Sequence, residues 1–179
     1  MTVHHGWEHL PRFKNPVLTI GMFDGVHPGH LALIQQVIQR AQEIAGESIL
    51  VTFEPHPRLV LLSQTHPLEL LTTLEEKIAV FNTMAIDHLV VIPFTKAFAD
   101  WPAKDYVQNF IQDKFHPRLL IIGYDHRFGH NREGDIQLLQ QLKTECDFEL
   151  EEIPAQMINE IAVSSTKIRH ALHTGNIEQ

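Results

Sequence analysis

The chain has one cysteine, Cys146, in 179 residues. An internal disulfide framework is therefore excluded. The lone thiol reads as a small, partly buried residue in a reducing cytoplasm. No apolar run approaches a membrane span and the N-terminus carries no signal-peptide pattern, so no membrane partner is expected. Positive charge is also short: 14 Lys and Arg face 22 Asp and Glu, a net charge of −8. That argues against nucleic acid as a partner, because phosphate-backbone binding needs a basic face. Thirteen histidines are many, yet they are scattered, without the Cys/His clustering of a zinc site. His4 and His5 read as solvated surface in a polar N-terminal arm. What remains is a globular composition, 44% hydrophobic and 20% charged, in a chain long enough to bury one core.

Strand and helix signals alternate. Residues 1–16 read as an irregular lead-in, with Pro11 and Pro16 limiting helix. Apolar, β-branched runs at 17–22, 48–53, 88–93 and 118–123 read as strands, with an edge strand near 148–153. Ile34, Val37, Ile38, Ala41 and Ile44 recur at three and four residues, which predicts a helix with one apolar face, ended by Gly46. Further helices are expected over 74–84, over 102–115 with Tyr106, Val107, Phe110 and Ile111 as its stripe, and over 136–143. Strands apolar on both faces belong to parallel sheets covered on each side. The expected fold is α/β, a doubly wound parallel sheet, with ligands at the C-terminal strand ends. The connection 54–73, broken by Pro55, Pro57 and Pro67, is long. Its Leu59–Leu62 and Leu68–Leu71 suggest that it folds over something apolar; a plain structural excursion is the other reading. Residues 155–161 read as a short link.

Three stretches carry chemistry. The first is VLTIGMFDGVHPGH, Val17 to His30: strand, glycine-punctuated turn, then a helix start with Pro28. Free backbone N–H groups and the helix dipole converge there on an anion. His27 and His30, three apart, share a face, so both imidazoles can address the same anion. The second is GYDHRFGHNREGD, Gly123 to Asp135, in which Arg127 and Arg132 suit a phosphate and Phe128 offers an aromatic face. A charged surface loop is its alternative reading. The third is VSSTKIRHAL, Val163 to Leu172, where Ser164, Ser165 and Thr166 suit a helix cap. Lys167 and Arg169 stand near that helix start against the dipole, a broken local rule that points to a second anion site.

At these residues the chain resembles the HxGH nucleotidyltransferases, since GMFDGVHPGH follows their G-x-F-D-x-x-H-x-G-H signature. Within them it is similar to the FMN adenylyltransferase module of bacterial FAD synthetases, through Thr52–Pro57 (TFEPHP), the 123–135 loop and SSTKIR at 164–169. The resemblance implies a Rossmann-like fold and transfer of AMP from ATP to FMN, giving FAD and pyrophosphate with Mg²⁺ screening the triphosphate. It implies His27, His30 and Arg169 as catalytic residues. Gly21, Phe23, Gly25, Gly29, Ser164, Ser165, Thr166 and Lys167 would bind ATP; Pro55, His56, Pro57, Asp125, Arg127, Phe128, Gly129 and Arg132 would bind FMN. Asp24 is expected to accept turn N–H groups rather than a metal. Two positions depart from the pattern: His126 stands where phenylalanine is usual, and Met22 where a small or polar residue is. Residues 1–179 are expected to form one adenylyltransferase domain without a riboflavin kinase barrel, with a separate riboflavin kinase domain or protein supplying FMN. The rival readings are another HxGH enzyme, a cytidylyltransferase or pantetheine-phosphate adenylyltransferase, and a non-catalytic flavin- or nucleotide-binding module.

Overall fold

In the computed structural model, which describes residues 1–61, 68–153 and 163–176, the apolar runs assemble into one parallel sheet. The expected link at 155–161, and residues 62–67 of the long connection, lie outside the described residues. The strands are β1 (Thr2–His5), β2 (Val17–Ile20), β3 (Ser48–Glu54), β4 (His88–Pro93), β5 (Leu119–Gly123) and β6 (Glu149–Ile153). Their order is β1-β4-β3-β2-β5-β6, every pair parallel.

Alternation along each strand feeds two cores. Leu18, Ile20, Val51, Ile92 and Leu120 point to one face. Val17, Leu50, Leu89, Val91 and Ile121 point to the other, against α1 (Pro28–Glu43) and α3 (Leu74–Asn82). Each fully buried aliphatic side chain contributes about 1.5–3 kcal/mol, so the inner strands need no polar alternation. The first face is covered by α4 (Lys96–Ala99), α5 (Ala103–Asp105), a π-helix (Tyr106–Gln112), α6 (Asp113–Phe115) and α7 (Ile136–Leu142). The expected helix over 102–115 is therefore present from Ala103, but its middle is wound wider. The wider turn brings residues five apart together, and Phe110 and Phe115 meet edge to face at 5.4 Å.

The lead-in is not irregular throughout. β1 pairs with β4 in register from Thr2 opposite His88 to His5 opposite Val91. A polar edge strand gives no apolar run, so its hydrogen bonds to β4 are invisible in the pattern. His4 is accordingly not solvated: it is half-buried, Nε2 lies 3.1 Å from His88 Nδ1, and burial lowers its pKa. His5 is exposed, as expected. Gly46 follows α1, but the left-handed residue there is Ala45, at φ +50°. Gly46 is required by close approach, since a Cβ would stand 2.1 Å from the Asn15 carbonyl oxygen.

The chain winds from β2 out to β3 and β4, then crosses back to β5 on the other side of β2. The winding reverses between β2 and β5, which makes their C-terminal ends the ligand crevice of this sheet. The first stretch leaves the end of β2 and the second leaves the end of β5.

Candidate active site

Gly21, whose N–H donates to the Val51 carbonyl at 3.0 Å, opens the turn after β2. Phe23 then turns inward at φ +50° and is fully buried, edge-on to Phe81 at 5.8 Å and to His30 at 5.4 Å. Phe23 therefore has no surface for ATP; it anchors the turn in the core, a correction to its expected binding role. His27 is the N-cap residue of α1, with Pro28 first in the helix and Gly29 buried behind it. His27 makes no side-chain cap; its ring stacks on His30, centroids 3.6 Å apart and planes 20° apart. Nδ1 of each ring is shut off from solvent, with no hydrogen-bond partner among the described residues. Burial lowers the pKa of both, and burial and then His27 push His30 down to about 3. The pair is neutral at physiological pH.

Asp24 lies beside them, buried, and collects donors from two segments distant in the chain. Its Oδ1 accepts from the N–H groups of Leu71 at 2.9 Å and Thr72 at 3.2 Å. Its Oδ2 pairs with the Arg169 guanidinium, and its carbonyl accepts from the Ser165 hydroxyl at 2.8 Å. Gly25 N–H donates to the Thr72 hydroxyl at 3.0 Å. The donors to Asp24 therefore come from outside its own turn, where turn N–H groups were expected. Arg169 and Ser165 sit on α8 (Ser165–Thr174), capped by Ser164, whose hydroxyl accepts from Lys167 N–H at 3.3 Å. The first and third stretches therefore meet. Arg169 is nevertheless engaged by protein, through Asp24 and through Nε to the Glu69 carbonyl at 2.7 Å. The single hydroxyl proton of Ser165 is likewise committed. Thr166 and Lys167 are exposed.

Two groups complete this end of the site. His56, between exposed Pro55 and half-buried Pro57 at the start of α2 (Pro57–Leu61), is buried, and its Nδ1 accepts from Arg58 N–H at 3.1 Å. Burial pushes it down to about 4, with Asp24, Arg169 and Lys77 the next influences. His56 therefore stands by the Asp24–Arg169 pair. Lys77 of α3, not singled out from sequence, is only 4% exposed, and its Nζ reaches the Met22 carbonyl at 3.4 Å. Met22 itself is half-buried against the core. No local signal marked the burial of Lys77, since a lysine on an amphipathic helix normally points to water.

The second stretch is built differently from expectation. The Phe128 ring is buried and stacked on Tyr106 at 5.2 Å, held by a bridge between Phe128 and Gly134, so it offers no open face. Gly129, at φ +74°, presses on Ala103, where a Cβ would stand 2.6 Å from the Cα. Arg127 pairs with Asp135 at 2.8 Å, and Asp135 caps α7 through the N–H groups of Gln137 and Leu138. Asp125 and Arg132 are exposed. His126 is half-buried, 5.7 Å from the Phe128 ring, and burial pushes it down to about 4.

The sequence profile of the FAD synthetase family matches residues 10–167. A bifunctional riboflavin kinase/FMN adenylyltransferase of Buchnera aphidicola subsp. Acyrthosiphon pisum is 37% identical over 165 residues, 92% of this chain and 52% of that protein. A putative bifunctional riboflavin kinase/FMN adenylyltransferase of Geobacillus thermodenitrificans is 32% identical over 185 residues, 100% of this chain and 94% of that protein. The chain thus spans about half the length of relatives such as the Buchnera protein. A solved structure, the macrolide-efflux protein from Streptococcus pneumoniae, superposes with a TM-score of 0.70 at 19% identity, over 86% of this chain and 50% of that one. That likeness speaks for the fold alone.

Asp24→Asn leaves the half-enclosed Arg169 guanidinium without its counter-charge and is expected to lower unfolding free energy by about 3 kcal/mol in urea titration. The histidines give a pH dependence. His56 and His126 stay neutral in the fold to about 4 and His30 to about 3, against an ordinary 6.5. The unfolded chain therefore binds more protons below 6.5, so stability is full above that pH and is lost as pH falls toward 4. His126→Phe is expected to make this loss shallower in urea unfolding measured across that window; an unchanged slope would mean that the ring is already protonated in the fold.

Proposed function

The chain belongs to the FAD synthetase family, and on that footing we propose that it transfers AMP from ATP to FMN, giving FAD and pyrophosphate. The observation that carries the reading is the junction of the HxGH turn with the start of α8 through Asp24, two helix N-termini held beside one histidine pair. Helix starts supply fixed N–H donors for phosphates. In the reaction a phosphate oxygen of FMN bonds to the α-phosphorus of ATP while the bond from that phosphorus to the bridging oxygen of pyrophosphate breaks. No protein nucleophile is needed, and catalysis is positioning and charge stabilisation.

His27 and His30 act as neutral hydrogen-bond donors to the phosphoryl oxygens. Gly21, Gly25 and Gly29 shape the turn; Thr166, Lys167 and the free N–H groups of α8 take the triphosphate. Ser164 and Ser165 hold that helix start in place. Arg169 locks α8 to the turn and offers its remaining N–H groups to the β- and γ-phosphates. Mg²⁺ enters on the triphosphate as part of the substrate. Both Asp24 oxygens already have protein donors, and among the described residues no three His, Cys, Asp or Glu side chains gather for a metal. FMN is assigned to the edge formed by Pro55, His56, Pro57, Asp125, Arg127, Gly129 and Arg132, with Phe128 as a buried prop. Leu59 and Leu61 of α2, 45% and 56% exposed, add apolar surface suited to a flavin ring. A cytoplasmic protein fed with FMN by a riboflavin kinase domain or protein fits this reading. Among the described residues no helix is long and apolar enough to cross a membrane.

Purified protein with ATP, Mg²⁺ and FMN is expected to form FAD and pyrophosphate, followed by chromatography, with all three required. His30→Ala is expected to lower turnover by about 10²–10³ while circular dichroism stays native. Binding of FMN and ATP without FAD formation would favour a sensor. If neither is bound, other acceptors, with CTP beside ATP, become the substrates to test.

A further inference from the structure

Lys77 is a cation where every local rule opposes one. It lies in the first turn of α3, near the positive end of the dipole, and it is 4% exposed. A buried ammonium is costly unless paired. Glu54 of β3 and Asp24 of the turn are the carboxylates that face it, yet among the described residues it forms no ion pair with either. Its ammonium donates to the Met22 carbonyl at 3.4 Å, an oxygen that the Thr52 hydroxyl also reaches at 3.4 Å. That carbonyl is the backbone group just before Phe23 turns inward.

We infer that Lys77 is a positioning residue of the transfer site: its ammonium fixes the Met22 carbonyl, and with it the turn carrying His27 and His30, and places a buried positive charge behind the histidine pair. The inference rests on the adenylyl-transfer reading of that pair. It follows from what the other groups there cannot supply. The stacked imidazoles are neutral and bring no charge. The charge of Arg169 is offset by Asp24. The groups that face His30 are His27, Asp24 and Lys77, and Lys77 is among those that hold it neutral. A fixed charge in a site closed to water stabilises a developing phosphoryl charge without reorganisation. The arrangement costs stability, and such costs collect at functional sites.

The test is Lys77→Met, which keeps length and removes charge. Thermal unfolding is expected at the same or a higher midpoint, because a buried charge without an ion pair is replaced by an apolar chain. The value of kcat is expected to fall at least about tenfold, with KM for ATP and FMN within about threefold. A structural lysine would instead lose stability and activity together, and that result, failure to fold, or an unchanged kcat would overturn the inference. If the wild-type chain makes no FAD, the transfer reading fails by itself. The role of Lys77 is then decided by the His27 and His30 ring signals in NMR spectra. Their displacement in Lys77→Met upholds the positioning role, and unmoved signals overturn it.

Discussion

One buried carboxylate ties the candidate site together. Asp24 takes donors from Leu71 and Thr72, and from Arg169 and Ser165, residues far from it in the chain. Removing a carboxylate from water costs several kcal/mol, and only a full set of donors offsets it. The consequence runs further than the pair itself. Thr72 leads directly into Thr73, which starts α3 through a capping box with Glu76. One position on from Glu76, Lys77 reaches back to Met22, two residues before Asp24. The turn, the end of the long connection, α3 and α8 thus close a ring of polar contacts around the start of α1, and each contact presupposes the others.

What the sequence made legible follows from this division between apolar pattern and polar ring. Inner strands of a parallel sheet are continuous apolar runs, so β2 to β5 stood out, with boundaries a residue or two from those observed. β1 did not, because an edge strand carrying His4 and His5 shows no such run. The stripe Tyr106, Val107, Phe110 and Ile111 announced a helix but not its π winding, which depends on where Phe115 packs. Phe128 looked like a ligand-facing aromatic in a glycine-rich loop, and Phe23 was assigned to ATP by the family resemblance alone. Nearby glycines serve the burial of both rings: Gly134 leaves room for Phe128, and Gly21 for Phe23. Lys77 was hidden for the opposite reason, since a lysine on an amphipathic helix normally points to water. Its burial is set by tertiary contacts that local pattern does not encode.

The electrostatics of the proposed reaction also rest on neutrality. A protein of net charge −8 faces a triphosphate and a flavin phosphate. Charging both imidazoles would set like charges 3.6 Å apart in a poorly hydrated place, and burial prevents it. Neutral rings keep an N–H donor each, and His30, pushed down to about 3, does not switch state between pH 5 and 8, unlike an ordinary histidine. The attraction for phosphate is then left to groups other than the imidazoles, among them the helix N–H dipoles at α1 and α8, which do not titrate. Such a site keeps its donors aimed whether or not substrate is present, which is the condition under which hydrogen bonds lower a barrier rather than merely tighten a ground state.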